Sequence, residues 1–138
     1  MLGKIADGDF TRKGKSMKNV MVVDDSRIMR NIVKNTFEQL KIPVTFIEAE
    51  DGIKALQALL KTSVDLILLD WNMPNLSGID FLKKVRAIER YKEIPIIMVT
   101  SESAKLSVVE AVKEGITAYI TKPINNKVFL DKLSKIAF

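Results

Sequence analysis

The chain contains neither cysteine nor histidine. Without cysteine it can form no disulfide and use no thiolate nucleophile, which fits a reducing compartment. Without histidine it has no imidazole base, no imidazole metal ligand and no phosphohistidine, so Ser-His-Asp and Cys-His mechanisms are excluded. Aromatic residues are few (six Phe, two Tyr, one Trp) and are not interleaved with basic ones, so no nucleic-acid-stacking surface is expected. No apolar run approaches the roughly 20 residues that span a bilayer, and the start lacks the continuous apolar stretch of a signal peptide. A cytoplasmic protein without membrane insertion is the expectation. The net charge of +5, from 22 basic against 17 acidic residues, is spread along the chain and reads as a solvated surface of mixed sign.

What remains is a chain of 138 residues, 47% apolar, which is one domain with enough apolar material for a core. Residues 1–16 show no sustained period and carry Lys4, Arg12, Lys13 and Lys15 against Asp7 and Asp9. They are expected to be a disordered tail or a cloning remnant. Gly14-Lys15-Ser16 imitates the end of a phosphate-binding P-loop, but Asp9 stands where the first glycine should be and no strand precedes it. From Met17 onward, strand and helix patterns alternate. Strands are expected near Asn19–Asp24, Val44–Ala49, Val64–Asp70, Ile94–Thr100 and Ala118–Thr121. Between and after them lie five helical patterns: Ile28, Ile32, Val33, Phe37 and Leu40, capped by Ser26 and stopped by Pro43; Ile53, Leu56, Leu59 and Leu60; Phe81, Leu82, Val85 and Ile88; Ser103 to Glu114, ended by Gly115; and Val128, Phe129, Leu133 and Ile136. Five βα units with short connections predict an α/β fold, a parallel sheet with helices on both faces.

The chemically active side chains fall at the carboxyl ends of the predicted strands, where such sheets bind ligands. Asp24-Asp25 follow the first strand, Asp70 ends the third, Thr100 ends the fourth, and Lys122 follows the fifth. Asp70 could act as a carboxylate nucleophile toward phosphorus. Carboxylates about 4 Å apart repel by roughly 4 kcal/mol at an effective dielectric near 20, so three of them call for a cation. Magnesium suits an all-oxygen set. Taken singly, an Asp-Asp pair is an ordinary helix start and a strand-end lysine an ordinary exposed residue.

The ordered set of motifs carries more than any member. Asp24-Asp25, Asp70-Trp71-Asn72-Met73-Pro74, Thr100-Ser101 and Lys122-Pro123, with Ala49-Glu50-Asp51-Gly52 and Glu114-Gly115, resemble the receiver domain of bacterial response regulators from Met17 to Phe138. The single-domain chemotaxis type is the most similar. The resemblance implies a doubly wound, flavodoxin-like sheet of order 2-1-3-4-5 and phosphorylation on Asp70. It implies Mg2+ held by Asp25, Asp70 and the Asn72 backbone carbonyl, with Asp24 acting mainly through water, and a cis bond before Pro123. It implies a switch in which the Thr100 hydroxyl and Lys122 bind the phosphoryl group, Tyr119 turns inward, and the small Ser101 leaves it room. Asn72 and Glu102 would tune a short-lived phosphoform.

A histidine kinase would be the donor and the flagellar motor switch the target, with a phosphatase as a further partner. A monomer would bind its target through Ser103, Val108, Tyr119, Thr121 and Lys132. No DNA-binding domain follows the last predicted helix, so output through protein binding is expected. A non-motility receiver or phosphorelay intermediate is the alternative reading. A Mg2+-dependent phosphohydrolase is a third, disfavoured because Asn72 stands where those enzymes place a second aspartate. Otherwise the domain would catalyse only its own phosphoryl transfer and dephosphorylation.

Overall fold

A computed structural model describes residues 17–101 and 105–136, with the side chains of Lys105 and Leu106 left aside. The expected tail, Glu102, Ser103 and the last two residues lie outside that description. The strands are β1 (Lys18–Val23), β2 (Val44–Ala49), β3 (Leu66–Asp70), β4 (Ile96–Thr100) and β5 (Ala118–Thr121). The helices are α1 (Arg27–Gln39), α2 (Gly52–Lys61), α3 (Gly78–Arg86), α4 (Lys105–Lys113) and α5 (Asn126–Ser134), with a short 3-10 turn at Glu89–Tyr91. All strand pairs are parallel, in the order β2-β1-β3-β4-β5. This is the doubly wound sheet expected from the sequence.

Strand alternation sorts the core into two layers. Met21, Val23, Ile67, Leu69, Ile96 and Met98 point to one face, where Ala55 and Leu59 of α2, Phe81, Leu82 and Val85 of α3, and Ala111 of α4 cover them. Val20, Val22, Leu66, Leu68, Ile97 and Ile120 point to the other, under Val33 and Phe37 of α1 and Phe129 and Leu133 of α5. Phe37 meets Phe46 and Phe129 edge-to-face at centroid distances of 5.4 and 5.2 Å. Both faces of the central strands are therefore apolar, as the near-continuous hydrophobic run of residues 64–69 foretold. Not every apolar residue at helical spacing is buried: Ile28 is 73% exposed and Leu60 69%.

The strand-to-helix loops before α1, α2, α3 and α5 each end on a capping side chain. Ser26, Asp51, Ser77 and Asn125 accept from the backbone N–H of Met29, Lys54, Asp80 and Val128. These caps set where each helix begins, and so hold the loops close above the strand ends. Helix ends differ from the expectation at one point. Pro43 does not stop α1; the chain has already turned at Lys41, whose φ is 60°. The Ile42 N–H donates to Phe37 O and the Lys41 N–H to Glu38 O, both at 3.0 Å. That is the two-bond C-terminal motif usually built on glycine. At α4 Gly115 performs it in the ordinary way, with φ 98° and Ile116 N–H on Ala111 O.

Lys41 is exposed and carries a Cβ in the left-handed region. Lys41→Gly is expected to stabilise the protein by roughly 0.5–1 kcal/mol, the left-handed penalty less the extra entropy of glycine. Urea unfolding at neutral pH measures it, and a loss of stability would show that the Lys41 side chain makes up for its backbone.

Candidate functional site

The register of the sheet assembles the site. Val23 pairs with Leu69, Asp70 with Val99, and Thr100 with Thr121. One step beyond each pairing the chain presents Asp24, then Asp70, then Thr100, then Lys122, a staircase across four adjacent strands. The order reverses between β1 and β3, where connections leave to opposite faces and open a crevice above the sheet.

Asp24, Asp25 and Asp70 each place one carboxylate oxygen within 4.8 Å of the others. Asp24 and Asp70 are 5% and 6% exposed, and Asp25 is open to solvent. Lys122 reaches in from the β5 side, its Nζ 3.2 Å from Asp70 Oδ1 and 4.0 Å from Asp24 Oδ2. Among the described residues one ammonium thus faces three carboxylates, which leaves excess negative charge in a half-closed crevice. The Lys122–Pro123 bond is cis.

Burial pushes the Asp24 carboxyl above its ordinary range; the Ser26 N–H, 2.8 Å from Oδ1, works against this, and the Asp70 charge adds to it. Burial likewise raises Asp70, against the pull of Lys122 and the Asn72 N–H. The arrangement is strained electrostatically without a further cation. Three hard oxygens at this separation, one facing solvent, fit a magnesium ion that retains water.

The Thr100 hydroxyl is buried and, among the described residues, has no hydrogen-bond partner. Orphaned buried hydroxyls are uncommon, and this one stands at the end of the strand beside Asp70. Tyr119, on β5, is 40% exposed, with Lys132 Nζ 5.2 Å from its ring centroid. Thr121 is exposed and Lys132 half-buried. Val108 packs partly against the core, whereas Val112, 60% exposed, joins Tyr119 and Lys132 in lining a groove between α4, β5 and α5. Asn72 and Ser101 lie beside the strand ends, both exposed. Glu102 and Ser103 fall outside the described residues.

Sequence reasoning missed the supports. Arg30 Nη1 donates to the Asp24 carbonyl at 2.6 Å, and its Nε pairs with Glu48 at 2.8 Å. Lys34 joins the same carboxylate, and these two cations hold the Glu48 carboxyl below its ordinary range. Asp51, the cap of α2, also accepts from Asn75 in the loop after Asp70. No motif announces such links, because each joins segments far apart in sequence.

The fold, the acidic crevice and the facing lysine define a phosphoacceptor signalling domain. A family model described as the response regulator receiver domain matches residues 20–134, and the chain belongs to that family. It is 44% identical over 118 residues to the chemotaxis protein CheY1 of Helicobacter pylori, covering 85% of this chain and 94% of that protein. It is 43% identical over 122 residues to CheY-3 of Vibrio cholerae, covering 88% and 92%. The solved structure of Vibrio cholerae chemotaxis protein CheY4 superposes with a TM-score of 0.78 at 34% identity, covering 88% of this chain and 99% of that one. The protein is thus a response regulator receiver of a two-component system. Among the described residues no helix is long and apolar enough to cross a membrane.

The raised carboxyl groups have a consequence for stability. Between the ordinary carboxyl range and the raised values, the folded protein binds more protons than the unfolded chain. Stability therefore falls as pH rises through that window and stays lower above it. Asp24→Asn keeps an acceptor for Ser26 but removes a charge. In EDTA at pH 7 it is expected to be more stable than its parent by on the order of 1 kcal/mol, repulsion from two carboxylates being partly offset by lost attraction to Lys122. Thermal unfolding should show the gap closing as pH falls toward about 4.

Proposed function

We propose that this protein accepts a phosphoryl group on Asp70 with Mg2+ and relays it as phosphorylation-dependent protein binding in chemotaxis control of the flagellar motor. The observation that carries the reading is the strand-end staircase of Asp24, Asp25, Asp70, Thr100 and Lys122, in a chain so similar to chemotaxis regulators. A histidine kinase in the cytoplasm is the proposed donor and the flagellar switch the proposed target.

Asp25 and Asp70, with the Asn72 carbonyl, would hold the magnesium, and Asp24 would act through water. The ion supplies neutralisation of the charge that gathers on the phosphoryl oxygens during transfer. Asp70 attacks the phosphorus of the donor phosphohistidine; an O–P bond forms, the N–P bond breaks, and the electron pair stays on the imidazole nitrogen. Lys122, already at Asp70, is positioned to follow the new phosphoryl oxygen. Thr100 brings the buried hydroxyl that lacks a partner. The domain would promote only this transfer and its hydrolysis, tuned by Asn72 and Glu102, with a phosphatase as a further partner. A phosphohydrolase reading has no carboxyl two residues past Asp70 to serve as acid, since that residue is Asn72.

Magnitudes bound the switch. Moving a population from 1:99 to 99:1 takes about 5.5 kcal/mol. A hydrogen bond to a charged group contributes roughly 1.5–3 kcal/mol. Thr100 gains such a bond outright, but Lys122 exchanges one, because it already holds Asp70. Turning Tyr119 inward also releases its contact with Lys132, a loss of about 0.5–1 kcal/mol at an exposed site. Phosphorylation alone therefore leaves a mixed population, and a partner that binds the inward-Tyr119 form completes the shift.

Incubation with acetyl phosphate and Mg2+ followed by intact-mass measurement tests the chemistry. The parent is expected to gain one phosphoryl group and Asp70→Asn none; equal gain by both would remove Asp70 as acceptor. Thr100→Ala separates acceptance from signalling. It is expected to be phosphorylated as the parent is, yet to bind flagellar switch protein at least about tenfold more weakly, the equivalent of one charged hydrogen bond. Capture of switch protein that is indifferent to acetyl phosphate would count against the chemotaxis assignment.

A further inference from the structure

The loop of residues 71–77, between β3 and α3, follows the phosphoacceptor directly and carries Asn72. It is fixed at three places. Its base is closed by the Gly78 N–H on Trp71 O at 3.2 Å, and Gly78 sits so near Trp71 that a Cβ would lie 2.7 Å from the indole ring. Its far side rests on the start of α2, where a Cβ on Gly52 would come within 3.0 Å of Leu76. At its tip Asn75 has φ 68°, and the Leu76 N–H closes a three-residue turn onto Pro74 O at 2.8 Å. Such a turn is a rare conformation for any residue with a side chain.

The side chain explains why it persists. Asn75 Nδ2 donates to Asp51 Oδ2 at 3.0 Å, while Asp51 Oδ1 accepts from the Lys54 N–H at 2.8 Å. Asp51 is 6% exposed and is anchored by the helix it caps. A single buried carboxylate thus starts α2 with one oxygen and grips the tip of the acceptor loop with the other. The bond spans 24 positions in sequence and ends three residues past Asn72.

We infer that Asp51 and Asn75 form a clasp that positions the loop carrying the Asn72 carbonyl, and so sets the affinity of the Asp24–Asp25–Asp70 site for Mg2+. Neither residue touches the ion; both are positioning residues. The inference rests on the metal assignment made above. A loop free to swing must be ordered when the ion binds, and that entropy opposes binding. A loop already clasped binds without it.

Reciprocal substitution tests the clasp. Asn75→Gly keeps a residue that accepts positive φ but removes the amide. Asn75→Asp sets two carboxylates face to face. In Asp51→Asn/Asn75→Asp the donor and acceptor trade places, the net charge of the parent is restored, and the asparagine introduced at position 51 still caps α2. Mg2+ is titrated into each metal-free protein and followed by calorimetry and by the fluorescence of Trp71, the single tryptophan. Only variants shown folded by circular dichroism in EDTA are compared. The two single variants are expected to bind Mg2+ about 3- to 10-fold more weakly than the parent, the effect of one hydrogen bond. The double variant is expected to recover to within about twofold of the parent. Parent-like affinity in Asn75→Gly overturns the inference, as does a double variant no tighter than Asn75→Asp alone. If the parent itself shows no saturable Mg2+ binding, the metal reading fails first and the clasp's role falls with it.

Discussion

Crowding of like charge at the ends of parallel strands governs this molecule. Asp24 and Asp70 are buried beside each other, Asp25 stands next to them, and among the described residues a single lysine offsets the three. The sheet forces the approach, because adjacent strands lie under 5 Å apart and the register puts these residues on consecutive steps. The two-layer core holds the strands in that register at the expense of electrostatic energy. Stored repulsion of this kind is what a divalent cation bound among these oxygens would relieve.

Much of this was legible in the sequence, and the reasons differ by element. β2 and β5 fall on their expected bounds, since Pro43 and Thr117 border clear apolar runs. β3 and β4 begin two residues later than their runs suggest. Val64 and Ile94 are apolar because they pack on the core, yet neither belongs to a strand; Asp65 instead exchanges bonds with Asn19, and Pro95 has no N–H to offer. The helical pattern to Leu40 reached the C-cap of α1, but its stop was assigned to Pro43, because nothing in the sequence marks Lys41 for a left-handed turn. The 3-10 turn went unseen for a similar reason. Its buried Tyr91 hydroxyl reaches Leu59 O, a link across 32 positions that no local pattern carries.

The site was legible to the extent that it depends on strand ends. Aspartates, a threonine and a lysine after apolar runs can be found by reading one segment at a time. Asn75, with Pro74, marks a loop in the sequence, but its bond to Asp51 depends on how two loops meet above the sheet. The same holds for Arg30, which sits one turn past the acidic pair and binds the Asp24 carbonyl while sharing Glu48 with Lys34.

These supports are distributed unevenly, and the asymmetry matches a switch. On the β1–β3 side, Arg30 fixes the main chain of the acidic pair, and Asp51 with Asn75 fixes the loop after Asp70. On the β4–β5 side, the Thr100 hydroxyl has no partner, Tyr119 lies outward, and α4 contributes only Ala111 as a fully buried side chain among the described residues. A site that must hold an ion and accept phosphorus needs one rigid wall, since geometry sets its affinity. A site that must report the event needs the opposite wall to have a second arrangement close in energy. On the proposed function, the Thr100 hydroxyl, without a hydrogen-bond partner among the described residues, marks that wall: satisfying it would be the local gain that draws the β4 end inward.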